Sequence, residues 1–384
     1  MEAKAFGDLI NFSRSTVASY FNAAGLLVQA AVNEPRFDYD AATLQPRGLL
    51  LEPQRQNTLT FSQDFSNSAW VKSRSTTTLS GAAPDGSPTA WSVAGNGVAG
   101  DSYLFRSSQS WLSGTAYAFS LFAKAGSGTV LSLRLPTDAF GIAIIVSFDL
   151  SGDGSFVVGS GSATTVAQII KLANGWFKCC VMATTTAVGG GNWIAINLGT
   201  TTTSSFLIWG AQLEVGAWHS SYIATTTAAV SRNADVAYVD VGAWLKGGEG
   251  TLFTEAYASS GQTFVGSLGS TTISGPRVAN WKSATGLLNS QIVADDGSTS
   301  FSASMATVTP GVLMKQAVAY SRNDFQAAAN GALSLVDTSG EVPTPSRLSL
   351  GARGISGDVL NGHLRQLKYY PYRLSASELQ AITS

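Results

Sequence analysis

The fold is decided by residues 206–224, which read Phe206-Leu-Ile-Trp-Gly-Ala-Gln-Leu-Glu-Val-Gly-Ala-Trp-His-Ser-Ser-Tyr-Ile-Ala224. The part up to Val215 is apolar without a helical period and runs into a turn, so it predicts a strand. A short extended stretch follows, and Ser231-Arg-Asn-Ala-Asp235 forms a basic and acidic exit. The segment predicts a strand close to the end of a β domain.

Period-two alternation extends upstream of this segment. Tyr117, Phe119 and Leu121 alternate with small residues, and residues 142–150 place apolar side chains on one face. Ser151-Gly-Asp-Gly154 then supplies a turn. Several short strands joined by Gly-rich turns predict an antiparallel β-sandwich.

A second series of strands begins near Val236. Residues 252–257 and 315–320 have strand composition, and Asn330-Gly331 predicts a hairpin turn. A final strand runs through residues 361–374, and Ser375 with Glu378 forms a capping box that opens one short helix. These features predict a second sandwich that ends in a helix.

The first 56 residues have a different pattern. Residues 16–21 and 26–30 flank a turn at Asn22-Ala-Ala-Gly25, and residues 36–39 and 48–51 flank another. Two hairpins bury too little surface to be stable alone. We therefore expect them to pack on the next domain or on neighbouring subunits. The predicted division is 1–56, an N-terminal attachment segment; 57–235, the first sandwich; and 236–384, the second.

Several stretches resemble tail fibre and tail-spike proteins of tailed bacteriophages. They are Phe206–Ala224 with its exit at Ser231–Asp235, Phe12-Ser-Arg-Ser-Thr16, Ala18-Ser-Tyr20, Asn33-Glu-Pro-Arg-Phe-Asp-Tyr39, and Gly48-Leu-Leu-Leu-Glu-Pro-Gln-Arg-Gln-Asn57. In that family such motifs frame a jelly-roll module of the carbohydrate-binding type. The last seventy or so residues resemble a concanavalin-like, laminin-G-like sandwich.

The resemblance implies an all-β virion protein of the tail or baseplate, assembled in the host cytoplasm. Such a fibre, spike or receptor-binding subunit would adhere to a host-surface glycan or receptor. It would contact other tail or baseplate proteins, and the resemblance implies a homotrimer. Two alternatives stay open: a glycan-degrading depolymerase, and a capsid decoration or head-fibre protein.

The composition and charge of the chain limit the kinds of binding partner that we expect. Only 12% of the 384 residues are charged, about half of the roughly 25% usual in globular proteins. The net charge is −1 and no basic stripe is present, so nucleic acid is not an expected partner. The most apolar stretch, residues 141–148, is too short to cross a membrane.

No catalytic motif is visible. No Glu is followed two residues later by Asp, so the acidic strand of concanavalin-like glycanases is missing, and Asp295-Asp296 is typical of a turn. His219 and His363 have no G-x-S-x-G elbow beside them. Cys179 and Cys180 are adjacent and would point to opposite faces of a strand. We expect a protein that is not an enzyme and has no catalytic residues or cofactor.

Two kinds of binding residue are conceivable. A structural Ca²⁺ is possible, with Asp64, Gln212, Glu214 and Asp235 as ligands, although no metal site is predicted. Sugar rings stack on exposed aromatic faces, and Trp91, Tyr103 and Trp111 lie near Gly, Ser and Pro loops. These three are the predicted ligand-binding residues. The tryptophans within strands, Trp176, Trp193 and Trp209, are expected to be core.

Overall fold

The computed structural model describes residues 5–187, 192–200, 203–355 and 357–384. Its strands are, in chain order, β1 (Asn11–Ser13), β2 (Ala18–Phe21), β3 (Leu27–Ala30), β4 (Phe37–Tyr39), β5 (Pro46–Leu51), β6 (Arg55–Asn57), β7 (Val71–Ser73), β8 (Ser75–Leu79), β9 (Trp91–Gly95), β10 (Tyr103–Gln109), β11 (Ala116–Ala125), β12 (Val130–Leu135), β13 (Ile144–Asp149), β14 (Ser155–Ser160), β15 (Val166–Lys171), β16 (Trp176–Thr184), β17 (Asn192–Asn197), β18 (Ser205–Val215), β19 (Val230–Arg232), β20 (Val236–Asp240), β21 (Glu249–Ala258), β22 (Thr263–Gly269), β23 (Arg277–Lys282), β24 (Leu287–Val293), β25 (Thr299–Thr307), β26 (Leu313–Ser321), β27 (Asp324–Ala329), β28 (Ala332–Leu333), β29 (Arg347–Leu350) and β30 (Gly362–Tyr370). The helices are α1 (Phe6–Leu9), α2 (Thr137–Phe140) and α3 (Ala376–Thr383), with a 3-10 turn at Ala173–Gly175. None of the helices in the described residues is long and apolar enough to span a membrane.

The first sandwich consists of two six-stranded antiparallel sheets. Sheet 1 has the strand order β14-β13-β12-β17-β10-β7, and sheet 2 has the order β15-β16-β11-β18-β9-β8. The segment that opened the sequence analysis forms β18, which lies between β11 and β9. Alternate residues such as Phe119, Leu133 and Ile194 fill the core between the sheets. Cys179 joins this core and Cys180 packs on the opposite face of sheet 2, as the alternation predicts.

The second sandwich consists of two seven-stranded sheets. Sheet 3 has the order β1-β20-β29-β22-β23-β24-β25, and sheet 4 has the order β28-β27-β26-β21-β30-β5-β4. The Asn330-Gly331 turn joins β27 to β28, and both of its residues have positive φ. The Ser375–Glu378 capping box opens α3, which packs through Leu379 on sheet 4. The all-β fold class, with antiparallel jelly-roll and concanavalin-like sandwiches, is confirmed.

The second sandwich is assembled from two separate stretches of the chain. In β1, Phe12 pairs with Ala237 of β20, and in β5, Leu50 pairs with His363 of β30. The first sandwich is thus inserted between strands of the second, and β6 pairs with β19 where the chain enters and leaves it. The structure differs from the division predicted at residue 56, because the backbone groups of β1 and β5 find their ladder partners in the second sandwich.

The hairpin β2–β3 covers the outer face of sheet 2. Leu27 packs there in a cluster with Trp176, Trp209 and Tyr222. The hydroxyl of Ser19 also donates to the backbone oxygen of Tyr222. Sheet 2 is therefore covered on both faces near this hairpin, which is why Trp176 and Trp209 are buried as predicted.

A buried ionic cluster, the junction network, ties the three parts together. Its members come from the N-terminal segment and from both ends of the first sandwich: Arg14, Arg36, Glu52, Arg232 and Asp235. Asp235 accepts from Arg14 at 3.0 Å and from Arg36 at 2.5 Å, and Glu52 lies 2.7 Å from Arg36 and 2.8 Å from Arg232. No member is more than 2% exposed, so this charge is shielded from solvent.

Candidate functional site

Two of the three predicted sugar-stacking residues have rings that pack against or bond to other residues of the protein. Trp111 is 1% exposed and packs edge-on against Tyr117 and Phe140, so the prediction of an accessible ring there is wrong. The loop that carries Trp111 turns inward and closes one end of the core between the sheets. Trp91 begins β9, packs against the same core and donates its Nε1–H to the carbonyl of Gln63 at 2.8 Å.

Tyr103 belongs to a different surface, the aromatic face of sheet 1. We define this face as Tyr103, Phe105, Arg134 and Trp193. The Trp193 ring lies 6.3 Å from the rings of both Tyr103 and Phe105, in edge-to-face geometry. The guanidinium of Arg134 lies over the rings of Tyr103 and Trp193 at 5.5 and 5.6 Å. Three rings and one cation therefore form a continuous surface.

Polar contacts fix this surface. The Nη1 of Arg134 donates to the Tyr103 hydroxyl at 2.7 Å, and that hydroxyl donates to the Asp101 carboxylate. Burial, and next the hydrogen bond to Asp101, raise the pKa of Tyr103. The Nε–H of Arg134 has no hydrogen-bond partner among the described residues. The face thus presents aromatic area beside oriented polar groups.

Trp193 is 39% exposed, so its prediction as a core residue is wrong. Its neighbour Ile194 points into the core of the first sandwich, and alternation sends Trp193 to the outer face of sheet 1. The hairpin β2–β3 covers the corresponding face of sheet 2. In the described residues no hairpin covers sheet 1 in the same way, so Trp193 stays accessible although it belongs to a strand.

Both histidines line one cleft between the two sandwiches, with a volume of about 170 Å³. His363 binds Asp38 through its Nε2 at 2.6 Å, and its ring lies edge-on to Tyr257. On the other wall, Trp218 stacks on His219 with ring centres 5.7 Å apart. The two histidines lie 144 positions apart in the sequence, and the fold brings them to the same cavity.

The predicted calcium ligands are not brought together around a free position. Asp235 is held by two guanidinium groups, and Glu214 accepts from Gln212 and from the backbone and hydroxyl of Ser220. Asp64 instead accepts from Ser66 in a local turn. Among the described residues, no group of three or more His, Cys, Asp or Glu side chains could hold a metal ion.

Comparison with known proteins yields weak structural likeness. No family model matches the sequence, and no curated protein matches it significantly. The sialidase CBM40 module of Ruminococcus gnavus, bound to α2,3-sialyllactose, is 17% identical, with a TM-score of 0.32, over 35% of this chain and 83% of that one. A pentraxin from Limulus polyphemus is 14% identical, with a TM-score of 0.30, over 36% of this chain and 70% of that one. Mouse laminin α1 domains LG4–5 are 12% identical, with a TM-score of 0.23, over 71% of this chain and 88% of that one.

Several of the stretches that carry the phage resemblance meet at the junction. Arg36 and Glu52 lie in N-terminal stretches, and Arg232 and Asp235 lie in the exit stretch. Their pattern is explained by the ion pairs of the junction network. Sequence reasoning found these residues through the resemblance, and it had no signal for the surface at Trp193.

Proposed function

We propose that the protein is a non-enzymatic adhesin that binds a glycan through the aromatic face of sheet 1. The observation that carries the proposal is the exposed Trp193 ring, which is held beside Tyr103, Phe105 and Arg134 on a sheet face that no hairpin of the described residues covers. Sugars present apolar C–H faces that stack on such rings, and hydroxyls that bond to neighbouring polar groups. A rigid sheet also holds the rings in place before a ligand arrives.

The finer proposal is that the chain is a tail or baseplate component of a tailed bacteriophage. The stretches that resemble tail fibre and tail-spike proteins support this proposal. The proposal also includes assembly as a homotrimer in the virion. Antibody labelling of intact particles by electron microscopy, with light scattering of the purified protein, tests location and oligomeric state. A stable monomer, or labelling confined to the head, would contradict it.

The absence of hydrolysis is also part of the proposal. Glu255, on β21, is paired with Arg365 at 3.1 Å, and Asp295 accepts a backbone N–H from Thr344. Both carboxylates are thus engaged by protein groups, whereas glycoside hydrolysis uses a pair of carboxyl groups that flank the scissile bond. Purified protein incubated with capsule polysaccharide or lipopolysaccharide should leave chain length unchanged, and release of oligosaccharide would favour the depolymerase alternative.

The binding surface is tested with a matched pair of tryptophans. Trp193→Ala should lower binding to an array of bacterial surface polysaccharides, by about five- to tenfold per site because one stack is worth on the order of 1 kcal/mol. Trp244 is 37% exposed, close to the 39% of Trp193, but lies in the second sandwich. Trp244→Ala should therefore leave binding unchanged. Equal effects of the two substitutions, with unchanged melting temperatures, would place the binding surface elsewhere.

A further inference from the structure

The cleft between the sandwiches contains a buried lysine with neutral partners. Lys178 lies on the outer face of sheet 2 and is 6% exposed. Its Nζ donates to the backbone oxygen of Ser220 at 2.6 Å and lies 3.2 Å from Nδ1 of His219. No carboxylate of the described residues forms an ion pair with it. A buried ammonium is costly unless an anion compensates it.

The protonation of His219 follows from this contact. An ammonium only donates, so Nδ1 of His219 accepts and the proton of the neutral ring lies on Nε2, which donates to Oε1 of Gln168 at 2.7 Å. Burial, and next the charge of Lys178, lower the pKa of His219 well below its ordinary value. The imidazole therefore adds no positive charge, and besides its two hydrogen bonds the ammonium of Lys178 lies over the Phe122 ring, with Nζ 5.8 Å from the ring centre.

Each carboxylate that lines the cleft already bonds to another side chain of the protein. Asp38 binds His363 at 2.6 Å, and Asp40 binds Arg47 at 2.8 Å. Glu52 belongs to the junction network and is bound by Arg36 and Arg232. None of these carboxylates bonds to Lys178, so its ammonium has no carboxylate partner among the described residues.

The remaining walls supply what a sugar ring needs. Tyr39 and Tyr257 line the cleft, and their hydroxyls have no hydrogen-bond partner among the described residues. Trp218 and Tyr257 line the cleft from opposite sandwiches, each with one contact to its ring: Trp218 stacks on His219, and the Arg47 guanidinium lies 5.3 Å from the centre of the Tyr257 ring. A volume of about 170 Å³ is below the roughly 300–1,000 Å³ of pockets for drug-sized ligands, so it fits one sugar residue better than a chain.

We propose that this cleft is a second saccharide site, which accepts a single sugar residue bearing a carboxylate and uses Lys178 as its counter-ion. It lies on the sheet 2 side of the first sandwich, away from the aromatic face of sheet 1. The tyrosine hydroxyls bond to the ring hydroxyls of the sugar, and Trp218 or Tyr257 stacks on its apolar face. The site joins both sandwiches, so its occupation also bridges them.

Lys282 provides a matched control for burial. It is 1% exposed and donates to the backbone oxygens of Gly261 at 2.9 Å and Ser283 at 3.2 Å. It does not line the cleft. Lys282→Met therefore removes a buried ammonium from the second sandwich without changing the proposed site.

The test is calorimetric titration of the full chain with D-glucuronate and D-galacturonate, with D-glucose and D-galactose as uncharged counterparts and acetate as a carboxylate without a ring. We expect at least one uronate to bind more tightly than its neutral counterpart and than acetate. Lys178→Met should weaken that binding by about tenfold or more, as for a hydrogen bond to a charged group. Lys282→Met and Trp193→Ala should leave it unchanged, so failure at the aromatic face is distinguishable from failure here.

Tyr257→Phe keeps the test decisive if Lys178→Met does not fold. It removes only a hydroxyl without a protein partner, so circular dichroism and melting temperature should not change while uronate binding weakens. Equal affinity for uronates and neutral sugars would overturn the proposal. So would acetate binding as tight as uronate binding, or a folded Lys178→Met protein with unaltered uronate affinity.

Discussion

At the scale of the residue, the junction network makes Glu52 the carboxylate on which folding depends most. It neutralises Arg36 and Arg232, so Glu52→Gln leaves buried charge without a partner. We expect the free energy of unfolding to fall by about 3–5 kcal/mol, measured by chemical denaturation. Glu341 pairs with Arg322 in solvent, and Glu341→Gln should cause a loss of at most about 0.5 kcal/mol. Similar losses in the two variants would show that the network contributes little.

At the scale of the element, the hairpin β4–β5 depends on Gly48 for its attachment to sheet 4. Gly48 has a φ of +105°, and a Cβ there would lie 2.4 Å from the backbone oxygen of Leu364 in β30. Gly48→Ala should therefore lower the melting temperature and expose the hairpin to limited proteolysis. Gly97 has a φ of +87° with open space around it, so Gly97→Ala carries the backbone strain without the collision. If Gly48→Ala lowered the melting temperature no more than Gly97→Ala, the proposed role of Gly48 in attaching the hairpin would be contradicted.

At the scale of the whole molecule, two buried groups make stability depend on pH. Burial alone would raise the pKa of Glu52, but Arg232, Arg36 and bonds from Ser221 lower it far below its usual range, and the pKa of His219 is also lowered. Both groups bind protons more readily when unfolded, so stability is present at high pH and is lost as pH falls. The loss should begin near the unfolded His value of about 6.5 and steepen below the unfolded Glu value of about 4.3, with at most about 1.4 kcal/mol per pH unit for each group.

Thermal unfolding between pH 8 and pH 3.5 checks this profile. His219→Gln should flatten the part between about pH 6.5 and 4.5 and leave the steep part below about 4.3 intact. A melting temperature that does not change from pH 8 to pH 5 in the native protein would contradict the role of His219.

Much of the fold could be predicted from local patterns. Alternation located the strands, the Asn330-Gly331 pair located a hairpin, and the Ser375–Glu378 box located α3. What alternation cannot supply is the partner of a strand. The pairing of Leu50 with His363 spans most of the chain, and nothing local in either segment indicates it. Local patterns therefore place the N-terminal strands in a separate segment, residues 1–56, and give no sign that they belong to the second sandwich.

The candidate site was harder to predict, for a related reason. Alternation states which residues share a face, but whether that face is covered depends on another part of the chain. Trp209 and Trp193 both lie within strands, yet the hairpin β2–β3 buries Trp209 while Trp193 stays accessible. Loop position was equally misleading, because the loop at Trp111 turns into the core.

The insertion of the first sandwich into the second determines how the protein bears mechanical load. A pulling force applied between β1 and β30 runs through sheets 3 and 4, because those strands belong to them. The first sandwich lies outside this path and is connected to it where β6 pairs with β19. Tension along the path would therefore reach the aromatic face only after the second sandwich had opened. A force applied between β1 and β30 therefore leaves the first sandwich, including Trp193, outside the direct path of the load.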